Sequence, residues 1–259
     1  MLCREVVEII ERKYSRTYAM GWDNVGLLAG RFEKDVKKIY IALDATDEVV
    51  EHAIEAGADM LVTHHPLIMS GLNRITNDNF IGKRLIKLIQ NDISYYAMHT
   101  NYDVRGMAEL ASDKLMLKNA EILEVTGESE VPEGIGRIAN LEESMSLRKY
   151  CELVKDAFSL ENVRVFGDLN RLVSRVAICP GSGKSFIKTA AAKGADVYVT
   201  GDIGHHDGID AVAQNLAIID AGHYGIEHIF VKDMEEYLNV NVQNIEVMTA
   251  EIMHPFTVV

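Results

Sequence analysis

The alternation of helix-period and strand-period segments is the feature that most restricts what this chain can fold into. Residues 4–16 place Val6, Val7, Ile10 and Tyr14 on one helical face, and residues 36–43 alternate as a strand does. A helix over 47–56, a strand over 60–63, a helix over 80–90 and a strand over 93–98 follow. Strands separated by helices of this length are joined by crossovers rather than hairpins, so the pattern predicts an α/β sheet. After about Lys118 the backbone breakers Gly127, Pro132, Gly134 and Gly136 concentrate, which reads as a crossover between two halves. At 259 residues and 48% hydrophobic, the chain has ample material for a core and sits near the upper limit of a single domain. Two α/β domains are therefore expected, over 1–125 and 126–259.

Beyond the crossover the rhythm resumes as a copy. Aligned without a gap, residues 36–65 and 173–202 pair strand with strand and helix with helix, superposing GADMLVT (57–63) on GADVYVT (194–200). An internal duplication explains both the match and its spacing. The blander alternative is a common helix-to-strand turn with glycine as the cap. The copies differ at their ends, where the first strand runs into His64-His65-Pro66 and the second into Gly201-Asp202.

Composition removes several function classes. A formal charge of −13 makes the average surface repel nucleic acid and anionic membranes. The three cysteines, Cys3, Cys151 and Cys179, are far apart with no CxxC spacing, against a disulfide framework or a zinc-cysteine site. Neither a signal-peptide apolar region nor a membrane-length apolar run is present, so a soluble, cytoplasmic protein without membrane partners is expected.

Chemistry-bearing residues gather at the ends of the predicted strands, where loops of parallel α/β sheets converge on ligands. His64 and His65 end the first such strand, and both can face one site only if the chain turns there, which Pro66 favours. Alone, a His-His pair is as readily an ordinary loop feature. A second strand end, in YYAMHTNYD, brings His99 and Asp103. A third, in IIDAGHYGIEHIF after a strand over 216–219, puts His223 and Glu227 four residues apart on one helical face. Ile226, Phe230, Met234 and Tyr237 recur on another face suited to packing, and His228 points elsewhere. His223 and Glu227 alone would pass for a solvent-exposed pair; three clusters at strand ends argue for metal.

Three histidines and two carboxylates suit zinc or iron, with manganese admissible, whereas calcium wants more oxygen donors. Five ligands (His64, His65, Asp103, His223, Glu227) exceed the three of an open catalytic zinc site, so two divalent ions sharing a bridging carboxylate are expected, with Glu227 as the bridge. His99 and His206, the latter in GDIGHHD, are candidates for general acid–base work or for orienting a ligand. Asp23 and Asn24 before a strand read as a turn more readily than as pocket residues. CPGSGKS (179–185) mimics a phosphate loop, but position 178 is isoleucine where that motif needs glycine, so a strand-to-helix turn is preferred.

The segments DNVGLLAG (23–30), VTHHPLI (62–68), HTNYD (99–103), VTGDIGHHD (199–207) and DAGHYGIE (220–227) occur in this order in a known family. Through them the chain resembles, over nearly its whole length, the GTP cyclohydrolase 1 type 2 family, also described as NIF-three-like dinuclear-metal-centre proteins. The family's metal positions fall on the same five residues. The resemblance implies two similar interlinked α/β domains, a toroidal homohexamer with the metals inside, and a nucleotide substrate, GTP, whose guanine ring water would attack at C8 with release of formate. Some members carry an extra domain between the halves, for which this chain has no room. The leading expectation is a metal-dependent nucleotide hydrolase. Its alternatives are a non-catalytic metal-binding ring that binds nucleic acid or a regulatory protein, with charge against nucleic acid, and a metal-dependent phosphoesterase.

Overall fold

The computed structural model describes residues 1–127 and 132–259. In chain order the elements are α1 (Cys3–Lys13), β1 (Gly26–Ala29), β2 (Lys38–Ala42), α2 (Asp47–Glu55), β3 (Met60–Thr63), α3 (Phe80–Gln90), β4 (Ser94–Ala97) and α4 (Thr100–Tyr102). A π-helical turn (Asp103–Met107) leads into α5 (Ala108–Lys114), β5 (Glu121–Gly127), β6 (Glu133–Ser146), α6 (Leu147–Phe158), β7 (Arg164–Phe166) and β8 (Leu172–Ser182). The chain closes with α7 (Ile187–Ala192), β9 (Val197–Gly201), α8 (His205–Ala213), β10 (Ala217–Asp220), α9 (His223–Glu227), α10 (Ile229–Asn241) and β11 (Glu246–Thr249). Two compact units result, Met1–Tyr102 with Phe230–Met253, and Asp103–Ile229 with His254–Val259. Each is discontinuous in sequence, so a cut near residue 125 separates the two copies of the repeated frame and not the two compact units.

The first unit holds a sheet of order β1-β4-β3-β2-β11, the second a sheet of order β5-β6-β8-β9-β10-β7. In the first, β11, β2, β3 and β4 are parallel and β1 is antiparallel on the edge. In the second, β8, β9 and β10 are parallel and β7 is the antiparallel edge. The orders β1-β4-β3-β2 and β7-β10-β9-β8 coincide in both sequence and sense, which is the duplication seen as architecture. After the first frame the chain adds β5 and β6 to the second sheet, and after the second frame it adds β11 to the first. The halves are interlinked by these exchanged strands.

Local chemistry explains the elements. Thr46 and Asn79 cap α2 and α3 by accepting from Val49 and Gly82 backbone N–H groups, and Ser146 does the same for α6. Tyr40 and Ala42 of β2, Leu61 of β3, and Tyr95 and Ala97 of β4 pack with Val49, Val50, Ala53, Leu85 and Leu88 of the covering helices. The intervening Ile39, Ile41, Met60 and Val62 are buried as well, so the sheet is covered on both faces, as parallel strands require.

The breaker-rich stretch expected as a crossover contains strand on both sides of residues 128–131, which lie outside the described residues. Its glycines serve sheet pairing: a Cβ on Gly134 would come within 2.1 Å of the Glu124 carbonyl oxygen, and Gly136 has φ +68°. Among the described residues no helix is long and apolar enough to cross a membrane. Leu88 is fully buried, and Leu88→Ala is expected to lower unfolding free energy by about 2–4 kcal/mol, measured by urea denaturation.

Candidate metal centre

In the first unit the carboxyl ends of β3 and β4 bring three imidazoles together, and that of β2 brings Asp44 beside them. His64 and His65 follow β3 with ring centroids 4.9 Å apart, and His99, at the exit of β4, lies 5.5 Å from His64 and 5.7 Å from His65. Adjacent residues would face opposite ways in a continuing strand. Here the chain bends, held by the Thr63 hydroxyl donating to the His65 carbonyl at 2.8 Å and the Tyr95 hydroxyl donating to the same carbonyl at 3.1 Å. The Leu67 N–H in turn donates to the Tyr95 oxygen at 2.8 Å. His64 is fully buried and packs against Tyr102 and Phe230.

Two of these histidines are tied to carboxylates. His65 Nδ1 is 2.7 Å from Asp44 Oδ1, and His99 Nδ1 is 2.9 Å from Asp23 Oδ1. A carboxylate at Nδ1 fixes ring orientation and tautomer and leaves Nε2 as the donor nitrogen, the usual support of a metal-binding imidazole. Asp23 also accepts from the Thr100 N–H at 3.0 Å and the Thr100 hydroxyl at 2.5 Å. Burial raises the Asp23 pKa, but these hydrogen bonds and the His99 charge outweigh it and hold the carboxyl down at about 2.

In the second unit His223 opens α9 and Glu227 lies one turn on, with Nε2 and Oε2 at 2.9 Å. His223 Nδ1 is 2.7 Å from Asp202 Oδ2, a third carboxylate–histidine pair. Glu227 is buried. Asp103 begins the π-helical turn, a local widening that re-aims side chains and recurs at functional sites. The buried Cys179 thiol is pushed well above its usual range by burial, with the Asp103 and Glu227 carboxylates acting in the same direction. Both acids therefore lie near the end of β8.

The glycines here are cradles. Gly181 has φ +74°, and a Cβ on it would meet Glu227 Oε1 at 2.2 Å. A Cβ on Gly201, the counterpart of His64 in the repeated frame, would come within 2.5 Å of the His223 backbone nitrogen. The CPGSGKS segment continues β8 to Ser182 and then makes a single 3₁₀ turn. Its Gly183 N–H donates to Thr200 Oγ1 at 3.0 Å and its Gly183 carbonyl accepts from Tyr198 at 2.9 Å. The segment is a strand-to-helix turn whose polar groups brace β9 beside Glu227. His206 lies exposed in the first turn of α8, its ring 5.1 Å from that of His205.

Asp44 and Asp202, which are not among the expected donors, and Asp23, expected in a turn, each position a histidine. For Asp44 and Asp202 the signal available was an acidic residue at a strand's carboxyl end, legible for Asp202 through its place in the repeat. Asn24 has a structural task, donating from its side chain to the Ile68 carbonyl at 2.6 Å.

Residues 1–255 match the Duf34/NIF3 (NGG1p interacting factor 3) family. The chain is a member of that family. Among its relatives, a GTP cyclohydrolase 1 type 2 homolog of Clostridium perfringens is 35% identical over 259 residues, covering 99% of each chain. One of Streptococcus pneumoniae is 37% identical over 246 residues, 92% of this chain and 91% of that one. Among solved structures, a Bacillus cereus protein related to NIF3 superposes with a TM-score of 0.91 at 28% identity, covering 100% of this chain and 99% of that chain. Reduced HcgD from Methanocaldococcus jannaschii gives 0.83 at 32% identity, covering 96% and 97% respectively. The NIF3 fold is thus shared along the whole chain.

Two outcomes follow from this geometry. Gly181→Ala places a methyl group against Glu227 at a left-handed backbone position, so a loss of about 1–3 kcal/mol and weaker metal retention are expected, checked by thermal melts and metal analysis after dialysis. Asp23 has a folded pKa of about 2 against an ordinary 3.8, so its stabilisation is complete above pH 4 and disappears as pH falls toward 2. Asp23→Asn should remove up to roughly 2 kcal/mol of that pH-dependent stability, visible as a flatter acid-unfolding curve than the wild type's.

Proposed function

We propose that this NIF3-family chain is a dinuclear divalent-metal-dependent hydrolase acting on GTP or a related nucleotide. One observation carries the reading: His65, His99 and His223 are each held at Nδ1 by a carboxylate, from Asp44, Asp23 and Asp202. Such pairs raise the basicity of the remaining nitrogen and fix its direction. The relatives' names supply the reaction class.

In this reading His64, His65 and Glu227 are three of the five metal donors. Asp103 and His223 would be the other two, and Glu227 would be the carboxylate shared between the ions. The mixture of imidazole and carboxylate suits zinc, iron or manganese. A bound pair of such ions would lower the pKa of a water and hold a substrate oxygen. Asp44 and Asp202 keep their histidines in one tautomer. We assign His99 to acid–base work through Nε2, with Asp23 at Nδ1 orienting its ring. His206 is the second candidate for that role. The reading extends to a toroidal homohexamer in the cytoplasm, as the family resemblance implies; light scattering of the purified protein reports the first.

The test is metal stoichiometry together with formate release from GTP. Wild-type protein reconstituted with zinc, iron or manganese should retain two ions per chain, and Glu227→Ala should retain none while keeping its circular-dichroism spectrum. Two ions held by the variant would remove Glu227 as the bridge. If no metal form of the wild type turns over GTP or any other nucleotide, the hydrolase reading fails.

A further inference from the structure

Trp22 is the chain's single tryptophan. It is 64% exposed, and its ring meets that of His99 edge-on, with centroids 5.9 Å apart and planes at 77°. A side chain of this size normally gains stability by burial, so an indole left in water beside the imidazole cluster calls for a use.

The backbone around it is fixed. The Met20 N–H donates to Thr100 Oγ1 at 2.9 Å, and the Asp23 N–H closes a turn onto the Met20 carbonyl at 2.9 Å. On the other side Asp23 is bound to His99 and Thr100, and Asn24 to the Ile68 carbonyl. These hydrogen bonds hold the backbone on both sides of Trp22, so the Cα that carries the indole is fixed beside His99. A rigid backbone presenting an open aromatic face is what recognition sites use, since little entropy is lost when a ligand stacks. The anchor residue Ile68 also lines a cavity of about 320 Å³, together with His65, Met69 and Leu72. That volume lies within the range of small-molecule sites.

We infer that Trp22 is the stacking platform for the planar heteroaromatic base of the substrate, holding the ring beside His99 and His65. The inference rests on the nucleotide reading above and adds a specificity-determining residue to it. Stacking on an indole face selects for a flat ring and tolerates its substituents, so purine nucleotides should be accepted broadly and a ribose phosphate without a base should not.

Because Trp22 is the sole indole, its fluorescence reports the contact without any turnover. GTP and guanosine should quench it saturably in the wild type, and ribose 5-phosphate should not. In formate-release assays Trp22→Ala should raise KM about tenfold with kcat retained, and Trp22→Phe should recover most of that loss. Equal quenching by ribose 5-phosphate, or an unchanged KM for GTP in Trp22→Ala, would overturn the inference while leaving the hydrolase reading intact. Saturable quenching by guanosine in a protein that releases no formate would sustain the stacking role and overturn the hydrolase. If Trp22→Ala instead changes the oligomeric mass while GTP affinity is unaltered, the indole packs against a second copy of the chain and the inference is wrong.

Discussion

Parallel pairing of strands buried on both faces is the constraint from which the rest follows. Because β2, β3 and β4 run the same way, their carboxyl ends fall on one edge of the sheet, and whatever polar residues follow them must share that edge. The apolar interior leaves no other place for them: of the strand residues in this frame, only a few polar side chains such as Thr63 and Ser94 are buried, and both are hydrogen-bonded. The imidazole cluster is thus a consequence of strand direction before it is a consequence of any single residue. Asp44, His65 and His99 come from three different strand ends separated by dozens of residues, and no local interaction would assemble them.

The second copy of the frame shows how the same constraint can be put to another use. At its β9 exit it carries Gly201 and Asp202 where the first carries His64 and His65, and Asp202 turns to hold His223. The neighbouring β8 end makes space for Glu227 through Gly181. One copy presents imidazoles from its strand ends directly; the other uses its strand ends to seat a histidine and a glutamate that arrive on α9.

Legibility from sequence followed the range of the forces involved. The β3 strand and the α3 helix could be read to the residue, since strand-length and helix-period apolar runs are local signals. The contact between His223 and Glu227 was legible for the same reason, being one helical turn. The β5 and β6 strands were hidden because their glycines, needed for close approach of paired backbones, look like loop residues when the partner strand is unknown. The Asp44–His65 and Asp23–His99 pairs span long sequence separations and depend on tertiary placement, which no periodicity encodes. Family resemblance bridged part of that gap by naming candidate donors, but it said nothing of the carboxylates that orient them.

The close fit of Gly201 under the His223 backbone has a consequence for how this duplicated fold can change. A side chain at that position would collide with the start of α9, so the second frame cannot acquire a histidine pair like the first without first moving that helix. Sterics at this one position hold the two copies to unlike roles. What began as a repetition has become an asymmetry that the packing under α9 preserves.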